Sequence, residues 1–372
     1  MKLNKLYLAL TLITLPLSTM AAGLDRSGQS ISAFLQPGNY AEAGLSVLDP
    51  TVKGKDATGR SVSDMGDDYV FASATVKIQA TDKISFGILY DQPFGADAQY
   101  AVDGSMFTNR TEGTSVKVRT NNITALVGYQ PTENWNFYAG PVWQTVEADI
   151  SLRGAAYSSL SGYNIQVDQK EAYGWAAGFA YSKPEIALKA AVTYRSEIKH
   201  KASSFENHNA TPLYDTYSSV EAVTPQSVNI DLQTGVSQNT LVFANLRWVH
   251  WDQFVVSPAF LGSQDQDLIS YSDDQYSATI GASHKFNSKW AATAAVGYDS
   301  GAGNPVTTLG PTEGYWSVGL GGQYSPAENY FIQAGVKYFW LGDATAQTGG
   351  NTAGEFSNNY ALGYGMKIGY RF

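Results

Sequence analysis

The sequence predicts an all-β fold: a 14-stranded antiparallel transmembrane β-barrel. Three observations carry that prediction. The 372 residues include no cysteine, 13% aromatic residues, only 15% charged residues and 36 glycines. Segments of roughly ten residues alternate between apolar and polar side chains, as lipid-facing barrel strands do. Tight polar turns take turns with long polar segments. After residue 22 no apolar run reaches the roughly 18 residues that a membrane-spanning helix needs. The mean hydropathy, −0.21, is also too low for a helical membrane protein.

The chain opens with Lys2 and Lys5, then an apolar run from Leu6 to Leu17, then Thr19-Met20-Ala21-Ala22. This reads as a secretory signal peptide over 1–21, cleaved after Ala21 or Ala22, so the mature chain works outside the cytoplasm. The apolar run is too short to span a bilayer. Residues 22–39, "AGLDRSGQSISAFLQPGN", break the strand pattern. They are small and polar, with Phe34-Leu35 as an apolar tip. On these residues alone the segment is either a disordered lead-in or a plug. A lumen enclosed by fourteen strands is too wide for side chains alone to fill.

Residues 40–372 make the barrel. A first strand is expected from Tyr40 to Val52. Tight turns follow at "ATDK" (80–83), "PTENW" (131–135), "SKPE" (182–185), "SQNT" (237–240), "NSKW" (287–290) and "SPAEN" (325–329). Six such turns join twelve strands, and one strand at each end makes fourteen. Longer polar loops are expected near 53–68, 95–115, 152–165, 200–222, 254–274, 299–314 and 342–357. Short turns on one side and long loops on the other are the build of a bacterial outer-membrane barrel. An even strand number leaves the C-terminus on the periplasmic side.

Successive strand side chains point to opposite faces. On the strand near 316–324, Trp316, Val318, Leu320 and Tyr324 alternate with Ser317, Gly319, Gly321 and Gln323. The chain ends on "YALGYGMKIGYRF". There Leu362, Tyr364, Met366, Ile368, Tyr370 and Phe372 face lipid, while Gly363, Gly365, Lys367, Gly369 and Arg371 face inward. Ile368, Tyr370 and the terminal Phe372 resemble the signal that barrel-assembly machinery reads. Tyr129, Trp135, Tyr181, Trp290, Tyr324 and Tyr330 stand near strand ends, where interfacial aromatic girdles belong.

A net charge of −9 argues against a nucleic-acid partner. Without cysteine there is no disulfide framework or thiolate metal site. Of the four histidines, His200 and His208 fall in an expected loop, His250 lies between tryptophans, and His284 precedes a turn. No Gly-x-Ser-x-Gly elbow and no HExxH pair is present. The sequence therefore points to no catalytic residue, no cofactor and no metal, and to a protein that is not an enzyme.

The informative lumen residues are the apolar ones. On a strand over 241–254, Phe243, Val249 and Trp251 face inward beside Arg247. Phe34 and Leu35 of the plug and Phe94 can join them in a hydrophobic ligand pocket. The other reading makes Phe243 and Trp251 packing or girdle residues. Arg195 and Arg247 either meet a ligand carboxylate or pair with lumen acids such as Asp231 and Asp91. Burying a methylene contributes about 0.8 kcal/mol and a partly solvated ion pair about 0–1 kcal/mol. Apolar wall residues should therefore outweigh a cation. Phe205, Leu213, Phe254, Phe260 and Leu261 in the long loops form either an outer capture groove or packing between loops.

Several segments resemble the FadL-type outer-membrane transporters of long-chain fatty acids and other hydrophobic compounds. They are "AGLDRSGQS" at the mature start, "YDQPFG" (90–95), "VTPQSVNIDLQTGVSQNTLVFANLRWVHWDQF" (223–254), "WAATAAVGYDSGAGN" (290–304) and "GYWSVGLGGQYSPAENYFIQAGVKYF" (314–339). The likeness covers most of the mature chain and rests on order and spacing. It implies a passive outer-membrane route for a hydrophobic small molecule, such as a fatty acid, in a monomer surrounded by outer-membrane lipid. It also implies an N-terminal plug and lateral release at a kink in the third strand. Here that strand is Ile84 to Tyr100, with Gly87, Pro93 and Gly95 available to bend it; alternatively Pro93 and Gly95 simply end it. The plug departs from the family, with Gln36-Pro37-Gly38 where many members carry Asn-Pro-Ala. A general diffusion porin or structural barrel is the alternative, and an outer-membrane lipase a remoter one.

Overall fold

The computed structural model describes residues 24–209, 215–263 and 267–372. The signal peptide, with its expected cleavage after Ala21 or Ala22, and Leu213 lie outside the described residues. Fourteen antiparallel strands close on themselves. They are β1 (Tyr40–Thr51), β2 (Tyr69–Gln79), β3 (Ile84–Asp91, resuming at Gly95–Gln99), β4 (Ser115–Tyr129), β5 (Trp135–Ser151) and β6 (Tyr163–Lys183). Next come β7 (Leu188–Arg195, then Ile198–His208), β8 (Thr216–Thr224, then Ser227–Gly235), β9 (Thr240–Val249) and β10 (Gln275–Lys285). The series ends with β11 (Trp290–Asp299), β12 (Tyr315–Ala327), β13 (Tyr330–Leu341) and β14 (Tyr360–Arg371). β1 pairs with β14 from Tyr40–Arg371 to Thr51–Tyr360, which seals the barrel. Joining the first strand to the last is how a sheet meets the condition hydrocarbon sets on its edges.

The two faces alternate as the period predicts. Leu320, midway along β12, is 58% exposed, while Ser317 and Gln323 are buried. Aromatics ring both ends of this apolar band. Tyr129, Trp135, Phe137, Trp290, Tyr330 and Tyr370 stand exposed near the short turns. Near the long loops, Trp248 pairs with Tyr276, Tyr298 with Trp316, and Trp316 with Trp340. Such girdles place the bilayer interfaces. Among the described residues no helix is long and apolar enough to cross a membrane; the crossing is made by strands.

The strands of one sector outrun the membrane band. The region 200–222, expected as a loop, is mostly ladder: β7 and β8 pair from Ile198–Thr224 to Glu206–Thr216. His200 and His208 are therefore strand residues. The Phe205–Tyr217 pair on one face and the buried Ile198, Ala202 and Val220 on the other favour the extended hairpin over a loop. Elsewhere the long loops fold over the outer mouth. Segments 54–56, 61–62, 306–307, 344–348 and 351–356 form a small sheet there.

Substituting Leu320→Arg tests the lipid face. At the middle of the apolar band it should destabilise the barrel by roughly 2–4 kcal/mol. Urea unfolding in lipid vesicles measures this, and an unchanged midpoint would mean that Leu320 does not face hydrocarbon.

Candidate functional site

Residues 24–39 lie inside the barrel and bond groups on five strands, β2, β3, β7, β8 and β9. At the outer end, Asp25 accepts a hydrogen bond from Arg247 Nε on β9 at 2.7 Å, with both side chains essentially sealed from solvent. The Arg247 fork also donates to Asn229 Oδ1 at 2.6 Å and to Gln29 Oε1 at 3.1 Å. Arg195 on β7 donates to the Gln29 carbonyl at 3.2 Å and to Thr124 Oγ1 at 3.1 Å. Ser27 Oγ donates to Asp91 Oδ2 at 2.6 Å. At the periplasmic end, Lys77 Nζ donates to the carbonyls of Gln36 and Gly38 at 3.1 and 2.9 Å, and Lys189 Nζ to that of Leu35 at 2.8 Å. Between these polar anchors the Phe34 ring packs edge-on against Tyr138, 5.7 Å between centroids. Removing one member of a buried ion pair costs about 3–5 kcal/mol, although the intact pair adds little net stability. The Asp25–Arg247 pair thus fixes where the segment sits.

The second feature is the interruption of β3. Its first part pairs with β2 from Ala74–Tyr90 to Gln79–Ser85 and with β4 up to Asp91–Asn122. Pairing with β4 resumes at Gly95–Arg119. Three residues, Gln92, Pro93 and Phe94, therefore stand opposite two, Thr120 and Asn121. Proline has no N–H for the ladder, so the bulge falls where a bond would be lost. Substitute partners take up the exposed backbone. Thr120 Oγ1 accepts from Phe94 N at 2.9 Å and donates to Phe94 O at 2.7 Å. Arg26 N donates to Pro93 O at 2.7 Å, and Gly95 N to Leu24 O at 2.8 Å. On the other side, Tyr69–Ser73 of β2 has no ladder with the resumed part of β3. Gln92 Oε1 accepts from Ala72 N at 2.9 Å below this gap, and Gln99 N donates to Met65 O at 2.9 Å above it. Between them lies the Tyr69 ring. Only glycine at 95 admits it, since a Cβ there would meet Tyr69 Oη at 2.0 Å.

Among the described residues, cavities lie at outer, middle and periplasmic levels of the lumen. An outer one of about 380 Å³ is bounded by Leu152, Tyr157, Leu261, Asp267, Thr308 and Gln347. A middle chamber of about 70 Å³ lies behind the wall gap, against Leu24, Arg26, Met65, Ala96, Asp97 and Tyr271. A periplasmic one of about 420 Å³ lies below the N-terminal segment, against Leu35, Lys77, Asn136 and Lys189. The segment separates the middle chamber from the periplasmic cavity.

The residues named from sequence do not form one pocket. Phe94 and Trp251 meet edge-on at 5.6 Å in an outer cluster that includes Val249. Phe34 and Leu35 belong to a separate inner cluster with Leu126 and Tyr138. Phe243 is half-buried opposite Gly281 and joins neither. β9 ends at Val249, so Trp251 reaches the interior from the following loop rather than from the strand. Arg247 pairs with Asp25 and not with Asp231 or Asp91; Asp231 accepts from Asn245 instead. Gly87 does not kink β3. It sits in unbroken ladder, and its missing Cβ makes room for Phe34, which that atom would meet at 2.4 Å. Phe254 and Leu261 are buried and Phe260 stacks on Tyr163 at 6.0 Å, so these loop apolars pack on one another and on the barrel rim.

Sequence reasoning missed Asp25, Arg26, Tyr69 and Thr120. Asp25 and Arg26 carried a signal, being adjacent charges in a small, polar segment bound for a lumen. Thr120 and Tyr69 carried none, because their roles arise from register.

A closed barrel with lipid-facing strands, a segment across its lumen and a break in its wall defines an outer-membrane transport protein. The family profile of outer membrane protein transport proteins (OMPP1/FadL/TodX) matches residues 22–372. Among individually curated proteins, none matches in sequence. A Pseudomonas aeruginosa FadL homologue shares the fold with a TM-score of 0.72 at 14% identity, over 96% of this chain and 99% of that one. The P. putida toluene transporter TodX gives 0.65 at 14% identity, over 91% of each chain. The Ralstonia pickettii toluene transporter TbuX gives 0.64 at 13% identity, over 96% of each. The chain belongs to the OMPP1/FadL/TodX family and is an outer-membrane channel for hydrophobic compounds.

Asp25→Leu should leave the Arg247 guanidinium buried without its carboxylate. A loss of about 3–5 kcal/mol is expected, with much of it recovered in the Asp25→Leu/Arg247→Leu double variant. Chemical unfolding of the four proteins of this cycle measures it; additive losses would show that the pair is not coupled.

Proposed function

We propose that a compact hydrophobic molecule enters from the outer loops, rests in the middle chamber and leaves sideways into the bilayer through the gap between β2 and β3. Residues 24–39 act as the plug that denies it the periplasmic exit. One observation carries this reading: the wall is broken where the chamber touches it, and the plug's own backbone completes the broken ladder. Phe94, Val249 and Trp251 pack in the same apolar cluster as the chamber's Leu24 and Met65 without lining it, while Arg195 and Arg247 hold the plug rather than the ligand. Phe34 and Leu35 seal its lower side.

Size favours a small ligand. Cavities of about 150 Å³ hold a benzene ring, so a 70 Å³ chamber admits one ring only after a lining side chain such as Tyr271 turns aside. The toluene transporters among the related structures fit this scale by name. A specific observation supports the second reading, a long-chain fatty acid: Arg26 lines the chamber, 5.9 Å over the Tyr69 ring. A carboxylate would find a cation there.

The readings separate on Arg26→Gln. Uptake of labelled oleate by cells making the protein should fall about tenfold if the guanidinium meets a carboxylate, while toluene uptake stays within about twofold; a desolvated charge-assisted bond is worth about 1.5–3 kcal/mol. Equal effects on both would remove the fatty-acid reading. Deleting Pro93 tests the route itself. It leaves two residues opposite two, restores the ladder and should abolish uptake of either compound in a barrel that still folds. Uptake persisting through a straightened β3 would refute lateral exit.

A further inference from the structure

At the outer rim, away from the lumen, His250, Asp252 and Asp274 converge. His250 and Asp252 follow β9 at one stem of the 250–274 loop, and Asp274 precedes β10 at the other. His250 Nδ1 lies 2.9 Å from Asp274 Oδ1 and 3.2 Å from Asp252 Oδ1. One ligand atom from each residue lies within 4.8 Å of the other two. Two donors about 2.1 Å from a shared zinc ion, at tetrahedral or octahedral angles, lie about 3.0–3.4 Å apart. The 3.2 Å separation falls in that range, and the 2.9 Å one, a hydrogen bond between His250 Nδ1 and Asp274 Oδ1, lies at its lower edge.

A further contact points the same way. Trp248 Nε1 donates to the remaining oxygen of Asp274, Oδ2, at 2.8 Å. Carboxylates that hold metals are typically oriented by such an outer hydrogen bond. The indole belongs to the outer aromatic girdle, so the cluster stands at the outer membrane interface. Its side chains are partly open to solvent, which gives an ion a way in.

We propose that His250, Asp252 and Asp274 bind a divalent cation that pins the two stems of the 250–274 loop together. One imidazole nitrogen with two carboxylates suits a borderline ion such as zinc better than magnesium or calcium, which prefer all-oxygen sets. The pinned loop carries Trp251, Phe254 and Tyr271, whose rings pack edge-on or tilted at 5.1–5.6 Å from one another. The ion thus holds that aromatic group in place. The site itself stands without the transport reading.

Zinc titration of the full chain in detergent micelles, followed by calorimetry, tests this. One zinc per chain is expected. His250→Ala and Asp252→Asn should each weaken binding at least tenfold; His284→Ala, at the periplasmic end of β10, should not. Asp252 is nearly half exposed, so its variant keeps the test meaningful if His250→Ala folds poorly. Zinc should also slow proteinase K cleavage of the 250–274 loop in the native chain and not in Asp252→Asn. Absent 1:1 binding, or binding that survives both substitutions, would overturn the site. Binding without protection would overturn the pin. A proton shared by His250 and the two carboxylates would explain the geometry without metal, and it predicts the first of these failures.

Discussion

Hydrocarbon offers a peptide group nothing to bond with, and the rest of this structure follows from that. An unsatisfied N–H or C=O in the bilayer costs several kcal/mol. Thirteen neighbouring pairs and the β1–β14 seam meet the demand by ladder. The break in β3 cannot, because Pro93 lacks a donor and three residues face two. Two devices make up the difference: the Thr120 hydroxyl, which serves both backbone groups of Phe94, and the backbone of Leu24 to Arg26, which serves Pro93 and Gly95. The wall is thus weakest where its bonds are borrowed from elements that are not wall.

That arrangement explains why the N-terminal segment is held by polar groups as well as by Phe34. A hydrophobic plug would be positioned only loosely, since burial is non-directional. Charged hydrogen bonds from Arg247, Arg195, Lys77 and Lys189 have defined geometry. They set the register of Leu24 to Arg26 against Pro93. The desolvation of Asp25 and Arg247 nearly cancels their attraction, so what the pair contributes is position. It places Arg26 beside Tyr69 and keeps the backbone bridge in reach of β3.

Much of the barrel was legible in the sequence and much less of the site. Strand number, closure and the lipid face of β14 follow from a period of two and the spacing of tight turns, both local properties. The 200–222 hairpin was misread as loop because its outward face above the membrane carries Lys199, Lys201 and Glu221 instead of apolar residues. Pro93 announced an irregularity, but its neighbour Gly87 misled, since a missing Cβ serves a close approach as readily as a bend. Trp251 and Arg247 were correctly sensed as interior residues. Phe94 was also named as a neighbour of Trp251, but the partner of Arg247 was not, because Asp25 lies 222 positions away and no local pattern joins them.

The same distinction governs how a closed barrel can pass a ligand at all. A middle chamber of about 70 Å³ cannot hold even one aromatic ring as it stands, so passage needs a group that moves without exposing backbone. Opening a ladder between regular strands would strand several peptide groups in lipid at once. Turning the Tyr69 ring away from Gly95 strands none, because the β2–β3 gap beside it is already without ladder bonds. The side chain is therefore the cheaper gate than the strand. In the proposed route, residues 24–39 remain anchored through Arg247 while the wall admits the ligand, so the lumen stays shut to water as the hydrophobic cargo leaves.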